Sequence, residues 1–148
     1  MDDVSAIIKI AIEFQRQGRL DNAETIYQEI LKIEPSHVGA MHLLGLIFHS
    51  NGRYKEAVEI LGKAIIQSPE VADLHSNFAA SQLALGFPNS ATVHAAKAIQ
   101  LDSKLGEAHY NLGNALFSLG KIAEATQSFK NSVELDNQND QFWSNYLF

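Results

Sequence analysis

The sequence predicts an all-α protein, built from antiparallel helix pairs stacked as a solenoid. Three observations predict it. Gly18, Gly52, Gly86 and Gly120 stand 34 residues apart. Five residues beyond each comes an alanine, at Ala23, Ala57, Ala91 and Ala125. A third register holds a small residue at Ala11, Gly45, Ala79 and Gly113, each preceded by a large apolar one (Ile10, Leu44, Phe78 and Leu112). A fixed period of this length marks a repeat architecture, in which one supersecondary unit recurs and buries its apolar face against its neighbours. No strand-like alternation or hairpin turn competes with it.

The period divides the chain into repeats at about 4–37, 38–71, 72–105 and 106–139, all within one domain, with 140–148 as the start of a fifth first helix or a capping helix. Each repeat reads as two helices. The first carries apolar residues at helical spacing, as in Met41, Leu44 and Phe48, and ends at the glycine, which takes the left-handed conformation that closes a helix. The second begins about two residues past the glycine, where Pro88 occupies a tolerated first-turn position. It ends near Pro35 and Pro69, which cannot continue a helix. Ser103 and Asn137 replace proline in the later repeats, and each predicts the start of the next helix. Small residues at the Ala23 and Gly45 registers let two helices approach at the short end of the roughly 8–10 Å range.

Composition narrows the function classes. The chain has 148 residues, 46% of them hydrophobic, enough for one ordinary core. No apolar run approaches the ~18 residues that span a bilayer, and the first residues, MDDV, are acidic where a secretory signal would be basic. No membrane association is expected. Cysteine is absent, so neither a disulfide framework nor a thiolate metal site exists, and a cytoplasmic location is the expectation. The formal net charge of −6, with no cluster of Lys and Arg, argues against nucleic-acid binding.

Catalytic chemistry is not written into the residues. There is no Gly-rich phosphate loop, nucleophile elbow or HExxH pair, so the chain is read as a non-enzyme that needs no cofactor. His42 and His49 lie on nearly one helix face but about 10 Å apart along its axis, too far to share a metal with bonds of about 2.0–2.1 Å. No metal site is expected. His75 and His109 share a register and read as packed structural residues, whereas Asp21/Glu24 and Glu56/Glu59 read as solvated faces of second helices.

The 34-residue helix–turn–helix unit with this Gly, Ala and Pro pattern resembles the tetratricopeptide repeat (TPR) over nearly the whole chain. His75 and His109 depart from the large aromatic often found at that place, Gln82 from an aromatic or aliphatic, and Ala95 from a bulky residue. Repeat three is therefore expected to be the weakest-packed unit. The resemblance implies a right-handed superhelix whose first helices line a concave groove. On that placement the groove stripe is Ile8, Lys9 and Ile12, then His42, Leu43 and Leu46, then Asp73, Ser76, Asn77 and Ala80, then Glu107, Tyr110, Asn111 and Asn114. TPR domains that clamp chaperone carboxylates use Lys, Asn and Arg here. Ile8, Ile12, Leu43, Asp73 and Asn77 stand in those places, so no such clamp is expected.

Asn77, Asn111 and Asn145 recur at the same period. Asparagine is a poor interior helix residue, disfavoured by roughly 0.5–0.7 kcal/mol against alanine, so its recurrence needs a reason. A row of amides, each with two donors and an acceptor, can bond the backbone of an extended peptide. This resembles the asparagine ladder of O-linked N-acetylglucosamine transferase repeats, and HYNLGNAL and FWSNYLF resemble that family's bacterial relatives. The other reading is structural: the amide bonds a neighbouring helix or faces water. The sequence leaves both open. The expected function is a non-catalytic protein-interaction scaffold that binds an extended, neutral or basic segment in the groove. Two alternatives stand beside it. One is the substrate-recruiting region of a larger glycosyltransferase-like enzyme. The other is self-association through Phe142, Trp143, Tyr146, Leu147 and Phe148.

Overall fold

The computed structural model describes residues 2–135. They form α1 (Asp2–Arg16), α2 (Leu20–Ile33), α3 (Val38–Ser50), α4 (Tyr54–Gln67), α5 (Ala72–Ala84), α6 (Pro88–Leu101), α7 (Gly106–Ser118) and α8 (Ile122–Leu135). No strand occurs among them. The chain gathers into two compact units, Met1–Pro69 and Glu70–Phe148.

Every first helix stops the same way. Gly18, Gly52, Gly86 and Gly120 take φ of +74°, +74°, +86° and +76°. In the second repeat the Gly52 N–H donates to the His49 carbonyl at 3.0 Å and the Arg53 N–H to the Phe48 carbonyl at 2.8 Å. That pair of bonds satisfies carbonyls the helix end would leave orphaned, and it requires the left-handed residue that glycine supplies without strain. Pro88 opens α6 at its first position, as its spacing predicts.

Ser103 does not start α7. That helix begins three residues later at Gly106, capped by Leu105 without a side-chain bond. Asp102 instead closes the turn, its carboxylate accepting the Lys104 N–H at 3.0 Å. A side-chain cap does form at His37, whose Nδ1 accepts the Ala40 N–H at 3.0 Å at the start of α3.

Inside each unit the second helices bury three registers in order: Ala23, Tyr27 and Ile30; Ala57, Leu61 and Ala64; Ala91, Ala95 and Ala98; Ala125, Phe129 and Ser132. Spacings of four and three place each trio on one face. The middle residue meets the small register of the first helix. A Cβ on Gly45 would stand 2.6 Å from Leu61 Cγ, and one on Gly113 would stand 2.6 Å from Phe129 Cε1. In repeats two and four volume is therefore traded across the hairpin: the large residue on the second helix sits where only glycine leaves room.

In repeat three both partners are small. Ala95 and Ala79 are fully buried in a cluster with Ala91 and Ala115, to which Leu83 and Leu112 add partly buried volume. Rings complete the hairpin: His75 stacks with His94 at 5.5 Å between centroids, and Phe78 meets the His94 ring edge-on at 4.6 Å. The departure from apolar packing shows at Gln82, whose Oε1 is buried with no hydrogen-bond partner among the described residues.

Candidate functional site

The two units present different first-helix faces. In the first unit, Ile8 and Ile12 are half-buried on α1 beside exposed Lys9, and His42, Leu43 and Leu46 are half-buried on α3. This face is largely apolar.

In the second unit α5 and α7 present an acidic and amidic face. Asp73 and Glu107 are exposed, Asn77, Tyr110 and Asn114 half-buried, and Asn111 buried. Desolvation, with the negative charge of Asp73 added, pushes the Glu107 carboxyl above its ordinary pKa. Among the described residues neither carboxylate has a cationic partner. Because the folded pKa of Glu107 exceeds the unfolded one, its ionisation opposes folding at neutral pH, and that cost disappears as pH falls below the ordinary glutamate range.

Asn111 answers part of the question its recurrence raises. Its Nδ2 donates to the Ser76 backbone carbonyl at 3.1 Å and to Ser76 Oγ at 3.0 Å, joining α7 to α5. Both bonds use the amide nitrogen. Ser76 is itself 1% exposed, so the hydroxyl would lack this donor without Asn111. Tyr110 packs its ring 5.9 Å from that of Phe129. Asn145 and the apolar residues Phe142, Trp143, Tyr146, Leu147 and Phe148 lie outside the described residues.

The acidic residues on the second helices are not uniformly solvated. Glu24 on α2 accepts both bonds of a 2.9 Å fork from Arg53 Nη1. Arg53 also grips Glu56 at 2.8 and 2.7 Å. Bonding to Arg53 holds the Glu56 carboxyl below its usual range. Arg53 lies over the Phe48 ring at 4.4 Å, as Arg19 lies over Phe14 at 4.5 Å. The sequence carries a signal for this, since Phe and Arg recur five apart before and after the glycine in both repeats. Pattern reasoning that sorts charges by helix face passes over it, because the partner is 29 residues away.

Each unit has an open cavity of about 230 Å³ among its described residues. The first is lined by Leu44, Phe48, Ile60, Glu56, Glu59 and Lys63. The second holds Ser103 and His109, but the His109 ring bonds the Ser103 backbone carbonyl at 3.0 Å and not its hydroxyl, so the two are not a nucleophile and its base. Among the described residues no three His, Asp or Glu side chains cluster as a metal site, and no helix is long and apolar enough to cross a membrane.

Comparison with known proteins decides the family. Tetratricopeptide repeat models match residues 8–72 and 106–139, together more than half of the chain. The chain belongs to the TPR family. It is 39% identical over 87 residues to small glutamine-rich tetratricopeptide repeat-containing protein 2 of Mycosarcoma maydis, covering 59% of this chain and 25% of that protein. It is 35% identical over 92 residues to the STIP1 homolog of Dictyostelium discoideum, covering 62% of this chain and 16% of that protein. The TPR segment thus spans a quarter or less of these relatives. In fold it resembles MamA from Desulfovibrio magneticus RS-1, with a TM-score of 0.82 at 21% identity over 95% of this chain and 79% of that one. It also resembles YrrB, with a TM-score of 0.76 at 24% identity over 95% of this chain and 72% of that one. The all-α TPR architecture expected from the period is therefore the one observed.

Proposed function

We propose that this TPR chain is a non-catalytic protein-interaction scaffold, and that its second unit holds an extended, basic peptide segment across α5 and α7. The observation that carries this reading is the pair of unneutralised carboxylates, Asp73 and Glu107, on a face that also bears Asn77 and Asn114. A face with two carboxylates and, among the described residues, no cation paired to them suits a ligand that brings positive charge. In this reading Asn111 uses its nitrogen to hold α7 on α5 and its carbonyl oxygen to accept a ligand backbone N–H. The solved structure of YrrB, similar in fold, is described as that of a TPR protein with an unusual peptide-binding site, which supports looking for a peptide here. The apolar face of Ile8, Ile12, Leu43 and Leu46 in the first unit suits aliphatic side chains of a partner.

Fluorescence anisotropy with unstructured ten-residue peptides tests it. A Lys/Arg-rich peptide should bind more tightly than a Glu-rich one, and the preference should weaken as salt is raised. The double variant Asp73→Asn with Glu107→Gln should lose roughly tenfold in affinity for the basic peptide, the equivalent of about 1.4 kcal/mol. Glu107→Gln should also stabilise the fold at neutral pH, with the gain vanishing in acid. Equal binding of acidic and basic peptides would sink the proposal.

A further inference from the structure

His75 on α5 and His94 on α6 bring their Nδ1 atoms to 3.3 Å, with the ring planes 18° apart. His75 is 4% exposed, while His94 is half-buried and reaches solvent. The 34-residue register places Ile7 and Ile26 at the corresponding positions of repeat one, Met41 and Ile60 in repeat two, and His109 and Ser128 in repeat four. Repeat three alone puts two titratable rings where two other repeats carry aliphatics. His109, at the His75 register, bonds the Ser103 carbonyl instead.

Two imidazoles joined through Nδ1 have three proton states with different consequences. In the neutral pair one Nδ1–H donates to the lone pair of the other Nδ1. A first added proton goes to Nε2 of the donor ring; the hydrogen bond survives and becomes charge-assisted. A second proton has only the acceptor Nδ1 to occupy. It removes the acceptor, turns two N–H groups head-on and places two positive charges in contact at a buried site.

We propose that the His75–His94 pair is an acid-operated latch, which holds α5 to α6 while no more than one ring is charged and releases when both are. The charged and titratable groups on the elements around it are Asp73 on α5, Lys97 on α6, and Glu107, His109 and Tyr110 on α7. Burial lowers the His94 pKa, and of the surrounding charges it is His75 that adds to the shift. The stability contributed by the latch is therefore complete above the ordinary histidine range and is lost as pH falls through the lower folded value. Phe78, edge-on to His94, would lose its ring contact in the same event. Because α5 carries Asp73 and Asn77, acid would also loosen the proposed binding face. That consequence rests on the functional reading above, while the latch does not.

Histidine ring titration of the full 148-residue chain by NMR, with amide exchange read in parallel, tests it. The His94 ring should take up its proton below the ordinary histidine range, in a step that moves when His75 is replaced. Between the ordinary histidine range and that lower step, opening of α5 and α6 should grow by up to roughly tenfold per pH unit, and it should level off below the step. Replacing His75→Met and His94→Ile together installs the pair that repeat two carries. It should keep α5 and α6 protected and abolish their acid response. Independent titration of the two rings, or an acid response that survives in the double variant, would overturn the latch. Should the variant fail to fold, the ring titration of the unaltered chain still decides.

Discussion

Opposite the small register of the first helices, the first unit places Tyr27 and Leu61, and the second places Ala95 and Phe129. Around that shared geometry the two units use different chemistry. The first fills its interior with Ile30, Met41, Leu44, Ile47 and Leu61, and clasps its turns with Arg19 and Arg53 over Phe14 and Phe48. The second relies on alanines, rings and buried polar groups. Among the described residues, the buried polar side chains His75, Ser76, Ser81, Asn111, Ser128 and Ser132 all belong to it. At the turns, Phe87 and Lys121 stand at the register of the first unit's arginines, and Phe87 is exposed there. One backbone template thus tolerates two solutions, because the turn and the small register fix the hairpin while the remaining volume only has to be filled.

Substitutions can widen or erase that contrast. The largest effect should come from volume in the first unit. Leu61→Ala empties a fully buried site opposite Gly45 and should cost about 2–5 kcal/mol. Urea unfolding with site-resolved amide exchange checks it, the loss being expected in α3 and α4 first. Next comes the polar stitch of the second unit. Asn111→Ala removes two hydrogen bonds, and should cost about 1–3 kcal/mol at roughly 0.5–1.5 kcal/mol each. A melt unchanged by that substitution would mean the amide contributes nothing to holding α7 on α5.

Making the second unit more like an apolar core should help it. Gln82→Leu, the residue that repeat four carries at Leu116, relieves the buried Oε1 and should stabilise by roughly 1 kcal/mol. Calorimetry reads this directly, and a lower melting temperature would point to a partner for that oxygen. The smallest effect should be Arg53→Gln, because its ion pairs are partly solvated. The difference from the unaltered chain should narrow as salt rises, since the screening length falls from roughly 30 Å at 0.01 M to roughly 3 Å at 1 M.

Much of this was legible in the residues. The glycine register marked every first-helix terminus, and Pro88 marked the start of α6. Gly45 and Gly113 announced the close approaches that Leu61 and Phe129 then fill. These features are local or are set by one facing residue, so a period exposes them. Ser103 misled because a side chain able to cap a helix serves that end only if the backbone turns there, and Asp102 takes the turn. At Ala95 the register showed a missing side chain but nothing of the rings that approach from the side.

By itself the sequence determined the fold class, the 34-residue unit, the glycine-marked ends of the first helices and the small-residue registers where helices meet. The physical reason is that positive-φ glycine, proline at a first turn and small residues at a contact each have few alternatives. Only the tertiary structure decided what the polar side chains do: Asn111 bonded to Ser76, Glu24 to Arg53, and His75 to His94. Those partners lie 35, 29 and 19 residues apart. A polar group accepts any complementary neighbour within reach, and reach is set by how the helices pack.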